Sequence, residues 1–356
     1  MSIKQLFLLI VPLTLLNCAP KSTTLYVGTY TNGESEGIYK FHFNTKTGAL
    51  SNKQLAATTN NPSYIAFSPN KKYLYAVGEG ETNAITAFKI NTNGSLEFIN
   101  SQSSNGKSPC HVNVNEAGNK VVVSNYTGGS ISLYNVNDNG SLNKASQIFN
   151  HNNNDDKKPA RAHSAQFHNN NLFVADLGKN AIYQYVLNDS LYNLKSSSIV
   201  KTEGNPGPRH FSVTKNNKYL YVINEYGNSI TSIKKTDSGF TQIDYDSTLN
   251  KNNTQESYCA DIHLSKDERF LYGSNRGENT IAVFKRNTIN GTIEKIQTIS
   301  VYGNWPRNFT LDPSGEFLLV ANQKSNNISV FSVNKKSGKL QFLHRIETPS
   351  PVCLKF

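Results

Sequence analysis

A short apolar run ending in a small or polar residue recurs seven times along the chain: Leu25-Tyr26-Val27-Gly28-Thr29, Leu74-Tyr75-Ala76-Val77-Gly78, Val121-Val122-Val123-Ser124-Asn125, Leu172-Phe173-Val174-Ala175-Asp176, Leu220-Tyr221-Val222-Ile223-Asn224, Leu271-Tyr272-Gly273-Ser274-Asn275 and Leu318-Leu319-Val320-Ala321-Asn322. The last residues of these runs, at 29, 78, 125, 176, 224, 275 and 322, are 47 to 51 positions apart. A unit of this size cannot bury its own apolar face, so equal units must stack on one another to make a core. That constraint turns 356 residues, which would otherwise suggest two or three domains, into one repetitive body.

Two further elements accompany each run. After it comes a second β-patterned stretch, beginning at Gly37, Ala84, Ser130, Ala181, Ser229, Thr280 and Asn327, followed by turns such as Asn93-Gly94, Asn139-Gly140 and Ser337-Gly338. Glycine there supplies the positive φ of a tight reversal, which identifies hairpins. Before each run except the first stands a third element, as in Pro109-Cys110-His111-Val112, Ala162-His163-Ser164-Ala165, Pro208-Arg209-His210-Phe211 and Pro306-Arg307-Asn308-Phe309, and the seventh copy is the C-terminal Pro351-Val352-Cys353-Leu354-Lys355-Phe356. The displacement is what a ring needs: the C-terminal strand completes the blade that the N-terminus begins, and no sheet edge is left open. The expected fold is all-β, a seven-bladed β-propeller of four-stranded blades. Two β-sandwiches are the alternative, and they would not require equal spacing through the middle of the chain.

Composition narrows the class further. Charged residues make up only 17% of the chain, too few for helical bundles or coiled coils. The 18 Tyr and 18 Phe that alternate with Val and Ile exclude full disorder. Lys and Arg exceed Asp and Glu by 36 to 25, giving +11, but the Lys residues are scattered and no basic-aromatic nucleic-acid motif is present. The excess reads as a basic solvated surface, with no nucleic-acid partner.

Lys4 precedes an apolar run over residues 6–16 and the sequence Leu15-Leu16-Asn17-Cys18. The run is too short to span a bilayer and reads as a secretory signal peptide over 1–17, leaving a short tether over 18–23 and the propeller over 24–356. Its end resembles the bacterial lipoprotein cleavage motif, with Asn17 where that motif carries Gly, Ala or Ser, so Cys18 is the expected lipidation site. The expectation is an exported protein lipid-anchored in the cell envelope, in the periplasm or at the outer membrane, with plain secretion as the alternative. Removing 1–17 takes away one Lys and no acid, leaving 35 − 25 = +10. Cys110, Cys259 and Cys353 have unrelated spacings and read as small buried residues, and neither a metal nor a cofactor is inferred. The Asn-rich stretch from His151 to Asp156 reads as a solvated loop insertion.

In a propeller the innermost strand begins, and its neighbour ends, at the same mouth of the central channel. The residues after each Pro and those closing each apolar run therefore converge: His111, Asn125, His163, Asp176, Arg209, His210, Glu225, Asp261, Arg276 and Arg307. Around these positions Gly204-Asn205-Pro206-Gly207-Pro208-Arg209-His210, Asn224-Glu225, Asp176-Leu177-Gly178, Asn125-Tyr126-Thr127-Gly128-Gly129, Ser274-Asn275-Arg276-Gly277 and Pro306-Arg307-Asn308-Phe309 resemble the lactonase family of seven-bladed propellers, which includes 6-phosphogluconolactonases and a fungal carboxy-muconate lactonising enzyme. The resemblance covers about residues 24–356 and implies a catalytic His, two Arg and a Glu, which fall on His163, Arg209, Glu225 and Arg276. Where the family often carries two His separated by one residue, Arg161 takes the first place here.

Those residue types suit lactone hydrolysis. A carboxylate or imidazole can activate water, and Arg, always charged and forked, can hold the oxygen that becomes negative. Glu225 or His163 is the expected base, and Arg209 with Arg276 the expected oxyanion donors. His111, Asn125, Asp176, His210 and Arg307 are expected to bind substrate, a small sugar lactone, with no obligate protein partner. A non-catalytic binding propeller and a lactonising isomerase are the alternatives, because fold does not dictate function.

Overall fold

A computed structural model describes residues 22–152, 158–195, 200–201, 206–237 and 239–356. The expected signal peptide, residues 1–17, and Cys18 lie outside the described residues. Among these, the chain forms β-strands and no helix, grouped in seven antiparallel sheets. Every apolar run identified in the sequence is the second strand of a sheet, counted from the channel, and every stretch after it is the third. The first of these strands, Ser22–Thr29, starts within the segment expected to be tether.

The innermost strands are Ile65–Phe67, Pro109–Val114, Ala162–His168, Pro208–Val213, Tyr258–Leu264, Pro306–Leu311 and Pro351–Lys355. Each touches the next in a closed ring, with Pro351–Lys355 contacting both Pro306–Leu311 and Ile65–Phe67. Closure takes the expected form: Pro351–Lys355 pairs with Ser22–Thr29, placing Leu354 opposite Val27 and Cys353 opposite Gly28. In the sheet begun by Ala162–His168 the outer edge is in two pieces, Leu191–Leu194 and Val200–Lys201, both paired with Ala181–Asn188.

The core lies between sheets. Phe41 and Phe43 pack with Phe317, Ile328 and Val330 across the closure, and Ile85 with Val121 and Tyr134 across another boundary. One polar tie recurs at these boundaries: Tyr26, Tyr75, Tyr221 and Tyr272 donate their hydroxyls to the carbonyls of Gly94, Gly140, Gly291 and Gly338 in the neighbouring sheet. These glycines hold φ values of 72 to 83°, where a side chain is strained. At Gly140 and Gly338 an added Cβ would also strike the ring of Tyr73 or Phe270.

The innermost strands carry one more shared feature. In six of the seven, Ile65–Phe67 being the exception, the pairing with the second strand slips near its start, so that Cys110, His163, Arg209, Arg307 and Val352 have no opposite number, and nor do Ala260 and Asp261. A bulge of this kind re-aims the unpaired side chain. Here the re-aimed residues include His163, Arg209 and Arg307 of the candidate site.

Candidate active site at the channel mouth

The centre of the site is a carboxylate between two guanidiniums. Glu225 follows the strand Tyr219–Asn224, and its Oε2 lies 2.8 Å from Arg209 Nε and 2.9 Å from Arg276 Nη2. Arg209 also donates from Nη1 to the Ala260 carbonyl, while Arg276 donates to the carbonyls of Cys259 and Tyr258. Arg209 is 2% exposed. Both guanidiniums are thus held before any ligand arrives. Burial and the nearby Arg209 charge lower Arg276 to about 10, still cationic at neutral pH.

His163 stands on its bulge beside this cluster. Its ring lies between Tyr126 and His210, with centroids 5.4 and 5.2 Å away, and its Nδ1 is 3.9 Å from Cys110 Sγ. Burial, reinforced by Arg209, His210, Arg307 and Arg276, holds the imidazole well below its ordinary value. It is therefore neutral at pH 7, the form that accepts a proton. Burial pushes the Cys110 thiol far up, so this residue is an inert neighbour rather than a nucleophile.

A second charged group faces the first across the mouth. Arg307 lies over the Tyr30 ring at 5.3 Å and 4.0 Å from Glu79 Oε2, which accepts the Tyr30 hydroxyl at 2.7 Å. Around the rim Arg161 lies over Tyr126, and both Arg276 and Lys324 lie over Trp305. Tyr30, Glu79 and Tyr126 were not among the residues singled out in the sequence. They occupy the repeat position that yields Glu225 and Arg276, the residue directly after each apolar run, so the same spacing rule reaches them.

Of the nine residues expected at the site, His163, Arg209, Glu225, Arg276 and Arg307 are brought together. His111 and His210 lie one step deeper in the channel, their rings 5.5 Å apart, with Tyr64 against His111 at 4.3 Å. Burial lowers both, His210 to about 4.

Asn125 and Asp176 are not placed to meet a ligand. Both are fully buried at the ends of their strands, pointing back into the sheets. Asn125 donates to the Ser104 carbonyl and Ser130 Oγ. Asp176 accepts from the amides of Arg161 and Lys179 and lies 2.6 Å from His151 Nδ1. His151 itself corrects the reading of a solvated insertion: it is buried, with Nε2 2.9 Å from the Tyr185 hydroxyl and its ring stacked on Tyr183. A buried carboxylate needs a partner, and the start of this Asn-rich stretch supplies it. Residues 153–157 lie outside the described residues.

The propeller's channel mouth thus gathers a neutral imidazole, two carboxylates and three guanidiniums, and comparison with known proteins shows which class it belongs to. The family model described as "Lactonase, 7-bladed beta-propeller" matches residues 24–356. A 6-phosphogluconolactonase of Bacillus subtilis is 35% identical over 341 residues, 93% of this chain and 97% of that one. A second protein of that name, from Formosa agariphila, is 38% identical over 337 residues, covering 90% and 95%. The solved structure of a periplasmic gluconolactonase of Pseudomonas aeruginosa superposes with a TM-score of 0.87 at 27% identity, covering 93% of this chain and 98% of its own. The chain belongs to the lactonase family of seven-bladed β-propellers. It is a carboxylic ester hydrolase of the lactonase type.

Proposed function

We propose that the protein hydrolyses a sugar δ-lactone at this mouth, either 6-phospho-glucono-1,5-lactone or an unphosphorylated aldonolactone. The observation that carries the reading is the Glu225 oxygen clasped by Arg209 and Arg276 beside a neutral, buried His163. Two guanidiniums already engage the carboxylate, which leaves the imidazole as the better base. His163 takes a proton from water as the water oxygen bonds to the lactone carbonyl carbon. The negative charge that forms on the carbonyl oxygen faces guanidiniums that need no rearrangement. Collapse breaks the ring C–O bond, and the proton on His163 passes to the departing ring oxygen. The product acid then ionises.

Charge at the mouth bears on substrate. Arg209, Arg276 and Arg307 oppose Glu225 and Glu79, leaving about one net positive charge at the centre, a match for one oxyanion. Arg161 and Lys324 on the rim are the cations a 6-phosphate would meet. The apolar run over residues 6–16 followed by Cys18 supports an exported, lipid-anchored protein, a setting in which unphosphorylated aldonolactones arise by sugar oxidation. Proton release in a pH-indicator assay, corrected for spontaneous opening, compares glucono-1,5-lactone with its 6-phosphate. Catalysed opening of either supports lactone hydrolysis and the ratio identifies the substrate class; decay of both at the spontaneous rate would overturn the reading.

A further inference from the structure

Each second strand ends at the channel mouth, as Tyr219–Asn224 does beside Glu225. The far end of the ring is therefore where the second strands begin and where the turns after the first and third strands lie. Charge at that end is uneven. The sheets whose innermost strands are Tyr258–Leu264, Pro306–Leu311 and Pro351–Lys355 follow one another around the ring. At their far end stand Lys46, Lys266, Lys285, Lys336 and Lys339, all exposed and none in an ion pair among the described residues. Most acids of this sector are already engaged: Asp267 with Arg269, Glu316 with Lys335, Glu268 with the Lys215 amide, and buried Asp312 with the amides of Glu316 and Phe317. Glu294 stands opposite Lys285 on the neighbouring strand. Across the ring, the corresponding turns of the sheets whose innermost strands are Pro109–Val114 and Ala162–His168 hold exposed Glu116, Asp138 and Asp189 and no Lys or Arg.

Two observations identify what the basic sector meets. A groove of about 930 Å³ runs along it, lined by Arg269, Lys285, Lys336 and Lys339 together with Ile289. Ile289 is 84% exposed, yet its turn is fixed, the carbonyl accepting from the Tyr219 hydroxyl at 2.7 Å and the amide donating to Asn287 at 2.9 Å. An apolar tip ringed by cations matches the surface of an anionic bilayer, where Lys meets lipid phosphates and an aliphatic side chain sinks between the headgroups. A soluble polyanion would satisfy the cations and leave Ile289 in water. The second observation is where the chain enters the ring. Ser22 is exposed, lies in the same sector and pairs with Asn44, two residues before Lys46. Cys18 is four residues earlier, a reach of at most about 14 Å.

We propose that this sector of the ring is a membrane-docking surface for anionic phospholipid, seated by its lysines and by Ile289, with the channel mouth turned away from the bilayer toward dissolved lactone. The tether argument rests on the anchor proposed at Cys18; the charge and Ile289 arguments do not. Docking holds the sheets that carry the lysines against the headgroups and keeps the acidic turns across the ring farther from them. Because the attraction is between exposed charges, added salt weakens it.

The test uses the chain from Ala19, which lacks the apolar run and Cys18 but keeps every described strand, in sedimentation with vesicles. It should bind vesicles of phosphatidylglycerol mixed with phosphatidylcholine, ignore phosphatidylcholine alone, and be released by raised salt. Lys336→Glu with Lys339→Glu should lower this binding by more than about 10-fold, and Ile289→Asp should also weaken it, while lactone opening and the thermal melt stay at the parent values. Lys107→Glu with Lys251→Glu, which makes the same change of net charge in loops at the mouth end, should leave binding in place. Absence of binding to the anionic vesicles, equal losses in the two lysine pairs, or full binding by Ile289→Asp would overturn the proposal. Binding of soluble polyphosphate without binding of vesicles would overturn it in favour of a polyanion partner. Palmitate labelling of the full chain reads the anchor separately: if Cys18 takes no label while the vesicle results hold, the anchor fails and the docking surface stands.

Discussion

Arg209 and Arg276, from neighbouring sheets, are joined through one oxygen of Glu225, at 2.8 and 2.9 Å. The clasp is structural and electrostatic at once: without the carboxylate two buried guanidiniums would repel each other, and with it they are fixed where an oxyanion can form. Glu225→Gln removes the charge but keeps the shape. The expected outcome is a loss of about 10²–10³ in kcat, with a lower Tm because two buried cations lose their counter-charge. Steady-state hydrolysis and circular-dichroism melts read the two effects; near wild-type turnover would show that the clasp does not serve the chemistry.

The neutral state of His163 makes a prediction about pH. Burial and three guanidiniums hold its pKa well below the ordinary histidine value, so the base form persists well under pH 6.5. After correction for spontaneous opening, kcat should be level from about pH 6 to 8 and fall only on the acid side. An acid limb centred at or above pH 6.5 would exclude His163 as the base.

Stability should depend on pH in a related window. His111, His163, His168 and His210 are all lowered, mainly by burial, His210 to about 4. Between about 4 and the unfolded value near 6.5, the unfolded chain therefore binds more protons than the folded one, and stability rises with pH. The contribution is complete above about pH 6.5 and is lost as pH falls toward 4. Urea midpoints measured from pH 7.5 to 4.5 should fall steadily through this range, and a constant midpoint would contradict the burial of these rings.

Ring closure makes the last few residues as important as any core segment. Leu354 is fully buried among Leu25, Val27 and Phe41, and its amide donates to Asn308 at 2.7 Å. Leu354→Ala should cost about 2–5 kcal/mol. Deleting residues 351–356 should abolish cooperative unfolding, because it exposes the edge of Ser22–Thr29 and removes a member of the inner ring. Thermal melts of both variants check this; a truncated chain that melts like the full one would show that the ring does not depend on its closing strand.

Much of this was legible in the repeat. Strand order, the turns with Gly94, Gly140 and Gly338, and closure by Pro351–Lys355 follow from spacing, because equal units in a closed ring have one way to pair. Spacing also brought His163, Arg209, Glu225, Arg276 and Arg307 to one mouth. It erred where neighbours along the strand differ in direction. Asn125 and Asp176 stand beside residues that face the channel, yet a β-strand alternates its faces, and their side chains turn into the sheet.

The sequence by itself determined the number of blades, the closure and the set of residues delivered to the channel mouth, since these depend on period and order along the chain. Which groups touch which was decided only by the tertiary structure. The clasp of Glu225 on Arg209 and Arg276, the pairing of Asp176 with His151 and the hold of Asp261 on His210 join residues 16 to 51 positions apart. They depend on bulges that re-aim single side chains and on burial that makes an unpartnered charge costly. Both effects arise only when the sheets pack around a common axis.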